Sequence, residues 1–290
     1  MLSQLGSGGT ADVFLAQDRA GRSVVVKVMR RAHATVADCA HEVSMLRLAG
    51  SECTVPVLGF GQTPAGPFIA MEYLPDYRPG IVLTSRPVRP ARLLALGGRL
   101  ARVLASIHER GIVHCDVKPA NLLVNGGRGG NIRLIDFGTA RRVGEHCGED
   151  GIVHCSRGWA APEQLRADRA TPAIDVFAWG SLIAFLASGV HPFASDSVEK
   201  WVMLVQSAQP EVYGLPPAID ELVRQTLARD ATQRPTAVEV AEACESQRRR
   251  PSPRRPDGPP EQAIRPMTHA PITAAATTSE SDPIRPISRA

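Results

Sequence analysis

His114-Cys115-Asp116-Val117-Lys118-Pro119-Ala120-Asn121 is followed, after a glycine-rich turn, by Ile135-Asp136-Phe137-Gly138. Two carboxylates and an amide at this spacing can hold a hydroxyl nucleophile and a divalent cation in one cleft. Magnesium takes a few hard oxygen ligands and leaves its other positions to water and phosphate, which suits Asn121 and Asp136. Any one of these residues is equally well explained as a turn aspartate or asparagine. All of them in this order are not.

Working outward, Lys118 is one of only three lysines among 33 basic side chains, the others being Lys27 and Lys200. A chain so biased toward arginine places arginine wherever a bare positive charge suffices. Lysine is a compact point charge and arginine a rigid planar fork, so retained lysines mark positions where the chemistry differs. Lys27 ends the β-prone run Val24-Val25-Val26, fourteen residues after Val13. Such a lysine is ordinarily an edge residue pointing to water, but Glu42 on the next predicted helix offers a partner that would aim it at phosphate. Upstream, Leu5-Gly6-Ser7-Gly8-Gly9-Thr10-Ala11-Asp12-Val13 is a glycine-rich turn. Glycine lets backbone N–H groups approach phosphate closely. Alone, this segment reads equally as a structural hairpin, because Ala11 replaces the third glycine of G-x-G-x-x-G.

Taken together, the motifs resemble the protein-kinase family from Leu2 to about Ser246. The resemblance implies an α+β bilobal fold, with a small β-rich N-lobe (about 1–73) and a larger helical C-lobe (about 76–246). Asp116 would receive the substrate hydroxyl proton, assisted by Lys118. Lys27, paired with Glu42, would contact the ATP phosphates, and Asn121 and Asp136 would hold Mg²⁺ or Mn²⁺. The nucleotide would meet Leu5, Gly6, Gly8, Gly9, Val13, Val25, Met71 (the gatekeeper position), Leu123 and the hinge Glu72–Leu74. Ser156, six residues before Pro162, matches the activation-segment hydroxyl that contacts the catalytic aspartate and lysine. Structural roles would fall to His114, Phe137, Glu163 of Ala161-Pro162-Glu163, Asp175 of Asp175-Val176-Phe177-Ala178-Trp179-Gly180, and Arg234, expected to pair with Glu163. Lys118 at this position is the serine/threonine signature, so the implied partners are ATP and protein Ser/Thr substrates. The bacterial Hanks-type branch is the nearest likeness. The alternative is a pseudokinase scaffold that binds nucleotide and partner proteins.

Two departures from the family pattern carry meaning. Cys115 stands where an arginine beside the catalytic aspartate ordinarily reads an activation-segment phosphate, and residues 140–155 contain no Ser, Thr or Tyr. Both features imply activity without activation-segment phosphorylation. The chain also begins almost at the glycine turn, so most of the first strand is expected to be missing. The dipeptides His114-Cys115, His146-Cys147 and His154-Cys155 fit no standard zinc spacing, and oxidation at Cys147 or Cys155 is the more plausible chemistry.

Composition agrees with a globular domain: 43% hydrophobic, 21% charged and a formal charge of +4. From Ser246 onward eight arginines face four acids, so the excess sits there and the rest is near neutral, which argues against a nucleic-acid-binding body. No run of 18 apolar residues and no signal peptide are visible, and six cysteines lack a CxxC pair. A cytoplasmic protein with free thiols and no membrane span is therefore expected. Strands are predicted at 11–17, 23–30 and 68–73, and helices at 36–48, 92–109, 174–187, 220–228 and 237–247. Residues 247–290, rich in Pro, Arg, Ser and Thr, read as a disordered tail whose hydroxyls are candidate autophosphorylation sites.

Overall fold

Asp18 closes a hairpin near the start of the chain. Its carboxylate accepts the N–H groups of Ala20 (2.8 Å) and Arg22 (2.9 Å), while Gly21 takes φ +77°, a conformation glycine adopts without steric cost. The turn joins β2 (Ala11–Gln17) to β3 (Ser23–Met29) in antiparallel register, with Val13 opposite Lys27. The structure, a computed structural model, describes residues 2–30, 34–126, 130–149, 152–207, 209–249 and 283–284. β1 (Ser3–Ser7) pairs with β2 through an irregularity between Gln4 and Gly6. The first strand is thus present, contrary to the expectation that most of it would be missing, because the glycine-rich stretch is itself extended and hydrogen-bonded.

Helix α1 (Val36–Ala49) starts from a reciprocal capping box between Thr35 and Asp38, an arrangement worth about 1 kcal/mol. β4 (Val57–Gln62) and β5 (Pro67–Glu72) complete a five-stranded sheet ordered β1-β2-β3-β5-β4. One face of this sheet and the inner face of α1 enclose Ala11, Met29, Cys39, Val43, Val55, Ile69 and Met71.

The chain then crosses to the helical lobe through β6 (Tyr77–Pro79) and enters α2 (Pro90–Glu109), which has proline in its first turn. Leu93, Leu96, Leu100, Leu104 and Ile107 repeat at helical spacing and are buried. A short strand β7 (Ile112–Val113) leads into the 114–121 loop, and β8 (Leu122–Asn125) and β9 (Ile132–Leu134) form a sheet with β6. β10 (Arg141–Arg142) pairs back onto β7, and β11 (Gly148–Glu149) pairs with β12 (Ile152–His154). After the single turn α3 (Pro162–Leu165) comes α4 (Pro172–Ser188), buried on nearly every face and ended by Gly189 in the left-handed region. A Cβ at Gly180 would overlap the Thr226 side chain, so glycine there sets how closely α4 meets its neighbour. α5 (Val198–Ser207), α6 (Pro217–Thr226) and α7 (Ala237–Arg249) complete the lobe. α7 runs to Arg249, so helix reaches slightly into the stretch assigned from sequence to the tail. Beyond it only β13 (Pro283–Ile284), antiparallel to β12, is described, and the tail hydroxyls lie outside the described residues. No helix of the described residues is long and apolar enough to cross a membrane.

The loop leading into α3 is pinned by aromatic packing: Trp159 and Phe185 both contact the His191 ring, with centroids 4.5 Å away in each case. Gly158, at φ +90°, lies against the same ring, and a Cβ there would come within 2.8 Å of it. Burial in this cluster, reinforced by the Arg157 guanidinium and only partly opposed by a hydrogen bond with the Gly158 backbone, lowers the His191 pKa to about 4. Between pH 6.5 and 4 the unfolded chain therefore binds a proton that the folded chain does not, and stability falls as pH falls through that window. Chemical denaturation of the parent and of His191→Phe across pH 7.5–4 is expected to show a steeper acid loss in the parent, by on the order of 1–3 kcal/mol. Parallel curves would rule out His191 as the source.

Candidate active site

The register of β3 between β2 and β5 turns Lys27 toward α1 and the 135–138 segment. Its Nζ donates to both carboxylate oxygens of Glu42 (2.9 Å each) and to Asp136 Oδ1 (2.7 Å). Burial alone would lower the Lys27 ammonium, but the Asp136 and Glu42 carboxylates outweigh it and hold the group above the ordinary lysine value. The Lys27 charge holds Asp136 down at about 2 against the opposing effect of burial, with help from Lys118 and His114. Burial pushes the Glu42 carboxyl up, and Lys27 pulls against it. Asp136 adopts φ +65°, which aspartate tolerates better than most side chains, and so turns its carboxylate back toward the lysine.

The 114–121 loop is shaped by one carboxylate. Asp175, fully buried on α4, accepts the backbone N–H groups of His114 (2.8 Å) and Cys115 (2.9 Å), and its Oδ2 also contacts His108 Nε2 at 2.9 Å. Cys115 takes φ +64°, a conformation costly for a non-glycine residue, and Gln164 Nε2 donates to its carbonyl at 2.7 Å. These bonds hold the bend that aims Asp116 into the cleft. Asp116 Oδ2 receives Lys118 Nζ and Asn121 Nδ2, each at 2.8 Å. Asn121 Nδ2 also donates to the Asp116 carbonyl at 2.9 Å, so its amide N–H groups are committed and its carbonyl oxygen is the remaining donor atom for a metal. Lys118 Nζ donates to Ser156 Oγ at 2.6 Å. Asp116 Oδ1 is buried and has no hydrogen-bond partner among the described residues. An unmet buried acceptor costs about 1–3 kcal/mol, and a donor entering the cleft would relieve that cost.

His114 Nε2 contacts the Ile135 carbonyl at 3.1 Å and its ring stacks edge-on to Phe137 at 4.6 Å, tying the loop to the 135–138 segment. Arg234 grips Glu163 bidentately at 2.6 and 2.9 Å, as the resemblance implied, and its guanidinium lies 4.9 Å above the Phe177 ring. Val25, Met71, Leu74 and Leu123 gather on one apolar cluster beneath the sheet, joined by Ile135. Val13 sits opposite Gly6 on β1, over the same edge of the sheet, while Leu5 is exposed on the outer strand. The glycine turn is closed by Gly8 N–H to Ala11 O (2.9 Å), and Ser7 Oγ donates to Asp12 Oδ1 (2.6 Å). Ala11 has negative φ, so the missing third glycine costs nothing there. The Glu72 N–H is committed to Pro56 O and the Leu74 carbonyl accepts the Tyr77 N–H.

Sequence reading missed His108, Gln164 and His41, whose Nε2 contacts the Ala140 carbonyl at 2.9 Å. Each meets its partner across 49 to 99 residues of chain, and no local pattern signals it.

Residues 1–244 match the family described as protein kinase domain. Similar curated proteins are a "Probable serine/threonine-protein kinase PkwA" of Thermomonospora curvata and "Serine/threonine-protein kinase pkn2" of Myxococcus xanthus. The first is 34% identical over 83% of this chain and 33% of the relative, and the second 31% identical over 84% and 31%. "Serine/threonine-protein kinase PknL" of Mycobacterium tuberculosis is 30% identical over 80% of this chain and 61% of its own length. The chain thus spans about a third of the first two relatives. Removing one partner of the buried Arg234–Glu163 pair strands a charge, so Arg234→Met is expected to lower unfolding free energy by about 3–5 kcal/mol in urea titration. A loss under about 1 kcal/mol would show that the pair does not hold the two segments together.

Proposed function

The chain belongs to the protein-kinase family, and from that premise we propose that it is an ATP-dependent serine/threonine protein kinase. The observation that carries the reading is Asp116: one carboxylate oxygen is fixed by Lys118 and Asn121, and the other is buried with no partner among the described residues. That second oxygen is the acceptor for a substrate hydroxyl, which it orients in line with the γ-phosphoryl and whose proton it takes. Lys118, bridging Asp116 and Ser156, is the point charge beside the transferring group, and Ser156 helps select the Ser/Thr side chain. Lys27, aligned by Glu42, binds the nucleotide phosphates beneath the glycine turn formed by Gly6, Gly8 and Gly9. The adenine packs on Val25, Met71, Leu74 and Leu123 and bonds to the Glu72 carbonyl and Leu74 N–H of the hinge. Asn121 and Asp136 present hard oxygens suited to Mg²⁺ or Mn²⁺, which supplies charge neutralisation at the phosphates when bound. The protein contributes chiefly positioning and electrostatic stabilisation.

The catalytic domain extends from residue 1 to the end of α7 at Arg249, slightly beyond the boundary at 246 read from the sequence, with lobes at about 1–73 and from about 76 onward, and the residues that follow are assigned to its tail. Activity without a phosphate on the activation segment is supported by the bonds that already hold that segment: Gly144 N–H to Ala170 O, Ala170 N–H to Glu145 O and Cys147 N–H to Asp168 O. None of these bonds involves a residue with a side-chain hydroxyl. A protein acting in the cytoplasm on other proteins is the corresponding physiological reading.

Asp116→Asn is expected to cut phosphoryl transfer to a generic Ser/Thr substrate by at least about 10²-fold, with nucleotide affinity little changed. Lys27→Met should weaken both. If the parent binds Mg-ATP with no transfer above that of Asp116→Asn, the pseudokinase scaffold replaces the enzyme. Separately, phosphatase-treated protein should keep full activity, with no phosphate in 139–156 by mass spectrometry. Activity that vanished with such a phosphate would refute phosphate independence.

A further inference from the structure

Strand β12 has two edges. β11 takes one of them, pairing Gly148 with Val153 and Glu149 with Ile152. β13 takes the other, with Val153 opposite Ile284 and His154 opposite Pro283, so the sheet runs β11-β12-β13. Strands of two and three residues make a marginal pair by themselves, and an uncovered edge of β12 would present its main-chain N–H and C=O groups as a template for any extended chain. Ile152 and His154 are exposed while Val153 is buried, the alternation of a strand with one open face. Pro283 has no N–H to give, which suits β13 to the outside of a sheet and not to its interior. The place of this edge decides its meaning. β12 ends at His154, two residues before Ser156, whose Oγ receives Lys118 Nζ at 2.6 Å, and the same Nζ lies 2.8 Å from Asp116 Oδ2. Because the pairing is antiparallel, the chain enters β13 at the His154 end, which is the end nearer those atoms.

We propose that the outer edge of β12 is a docking edge for extended polypeptide, and that the chain's own Pro283–Ile284 holds it in competition with a protein substrate. Recognition is by strand addition: main-chain N–H and C=O groups supply the attraction, so the edge accepts an extended segment with little regard to its sequence. The occupant is the tail because the structure seats it there, in register, beside the Ser156 end of the activation segment. Being part of the same chain, it meets the edge at a local concentration that a free peptide reaches only at high dose. Its grip is nonetheless short, two residues long and begun by a proline. A substrate that offers a longer run of main-chain pairing can therefore displace it. The tail acts as a tethered competitor, raising the substrate concentration needed for transfer and leaving the transfer step itself alone.

The competition rests on the kinase reading, whereas the docking does not. The test compares the full chain with two full-length variants: Ile284→Pro, which removes the remaining main-chain N–H of β13, and Ile284→Asp, which places a poor strand residue there. Hydrogen exchange read by mass spectrometry follows the amides of 152–154, and steady-state kinetics follow transfer to a synthetic Ser/Thr peptide. Both variants are expected to exchange those amides at least about 10-fold faster than the parent. Both should also lower the KM for the peptide by about 3–10-fold with kcat and the KM for ATP unchanged. The proposal is overturned by equal exchange in all three proteins, or by faster exchange with an unchanged peptide KM. Protection of 152–154 that grows with protein concentration would overturn it as well, since the strand would then come from a second copy. If neither parent nor variants transfer phosphate, the kinase reading fails; exchange then decides the docking, and the affinity of the fluorescently labelled peptide for parent and variants decides the competition.

Discussion

A single buried carboxylate organises the centre of this protein. Asp175 has no contact with solvent, and it meets His108 and the N–H groups of two successive loop residues. A carboxylate this deep persists only when its oxygens are satisfied. The satisfaction here forces the backbone at Cys115 into the left-handed region, where its own propensity would not take it. The bend sends Asp116, Lys118 and Asn121 into the cleft as a unit, and the hydrophobic bulk of α4 keeps its source immobile.

The two lobes share a second electrostatic knot. Lys27 belongs to the sheet, Glu42 to α1, and Asp136 to the helical lobe's first long excursion after β9. Three charges in so small a volume are tolerable because the one cation faces two anions: Lys27 favours the ionised form of both carboxylates, while burial and the Asp136 charge push the Glu42 carboxyl up against it. The contact therefore reports on lobe alignment: moving α1 outward strands Glu42 in an apolar core, and moving the 135–138 segment leaves Lys27 under-neutralised. His114 against Phe137 couples this knot to the loop held by Asp175.

Much of this was legible from residue order. The cleft residues come in short motifs with fixed internal spacing, and Lys27 stood out because the composition around it is so poor in lysine. The long helices were found within a few residues of their ends, since α2 has a clear apolar face and α4 is apolar throughout. β4 escaped notice because Gly59 and Gly61 interrupt a strand whose residues alternate in exposure only once β5 is beside it. β1 was expected to be mostly missing because the sequence begins almost at the glycine turn, yet Ser3–Ser7, glycine included, pair with β2 through the backbone. Gln164 and His108 were invisible for a different reason: a hydrogen bond between residues tens of positions apart leaves no periodic trace.

Part of the activation segment's hold on the body of the protein is made from main-chain atoms alone, at Gly144, Glu145, Cys147, Asp168 and Ala170. Peptide groups are the same whatever side chain they carry. Those main-chain bonds are indifferent to most substitutions at the residues that make them, so side chains of the segment that make no bond of their own are free to drift. Surfaces that read a target peptide can then diversify among descendants of this sequence while the closed geometry beneath them is inherited unchanged.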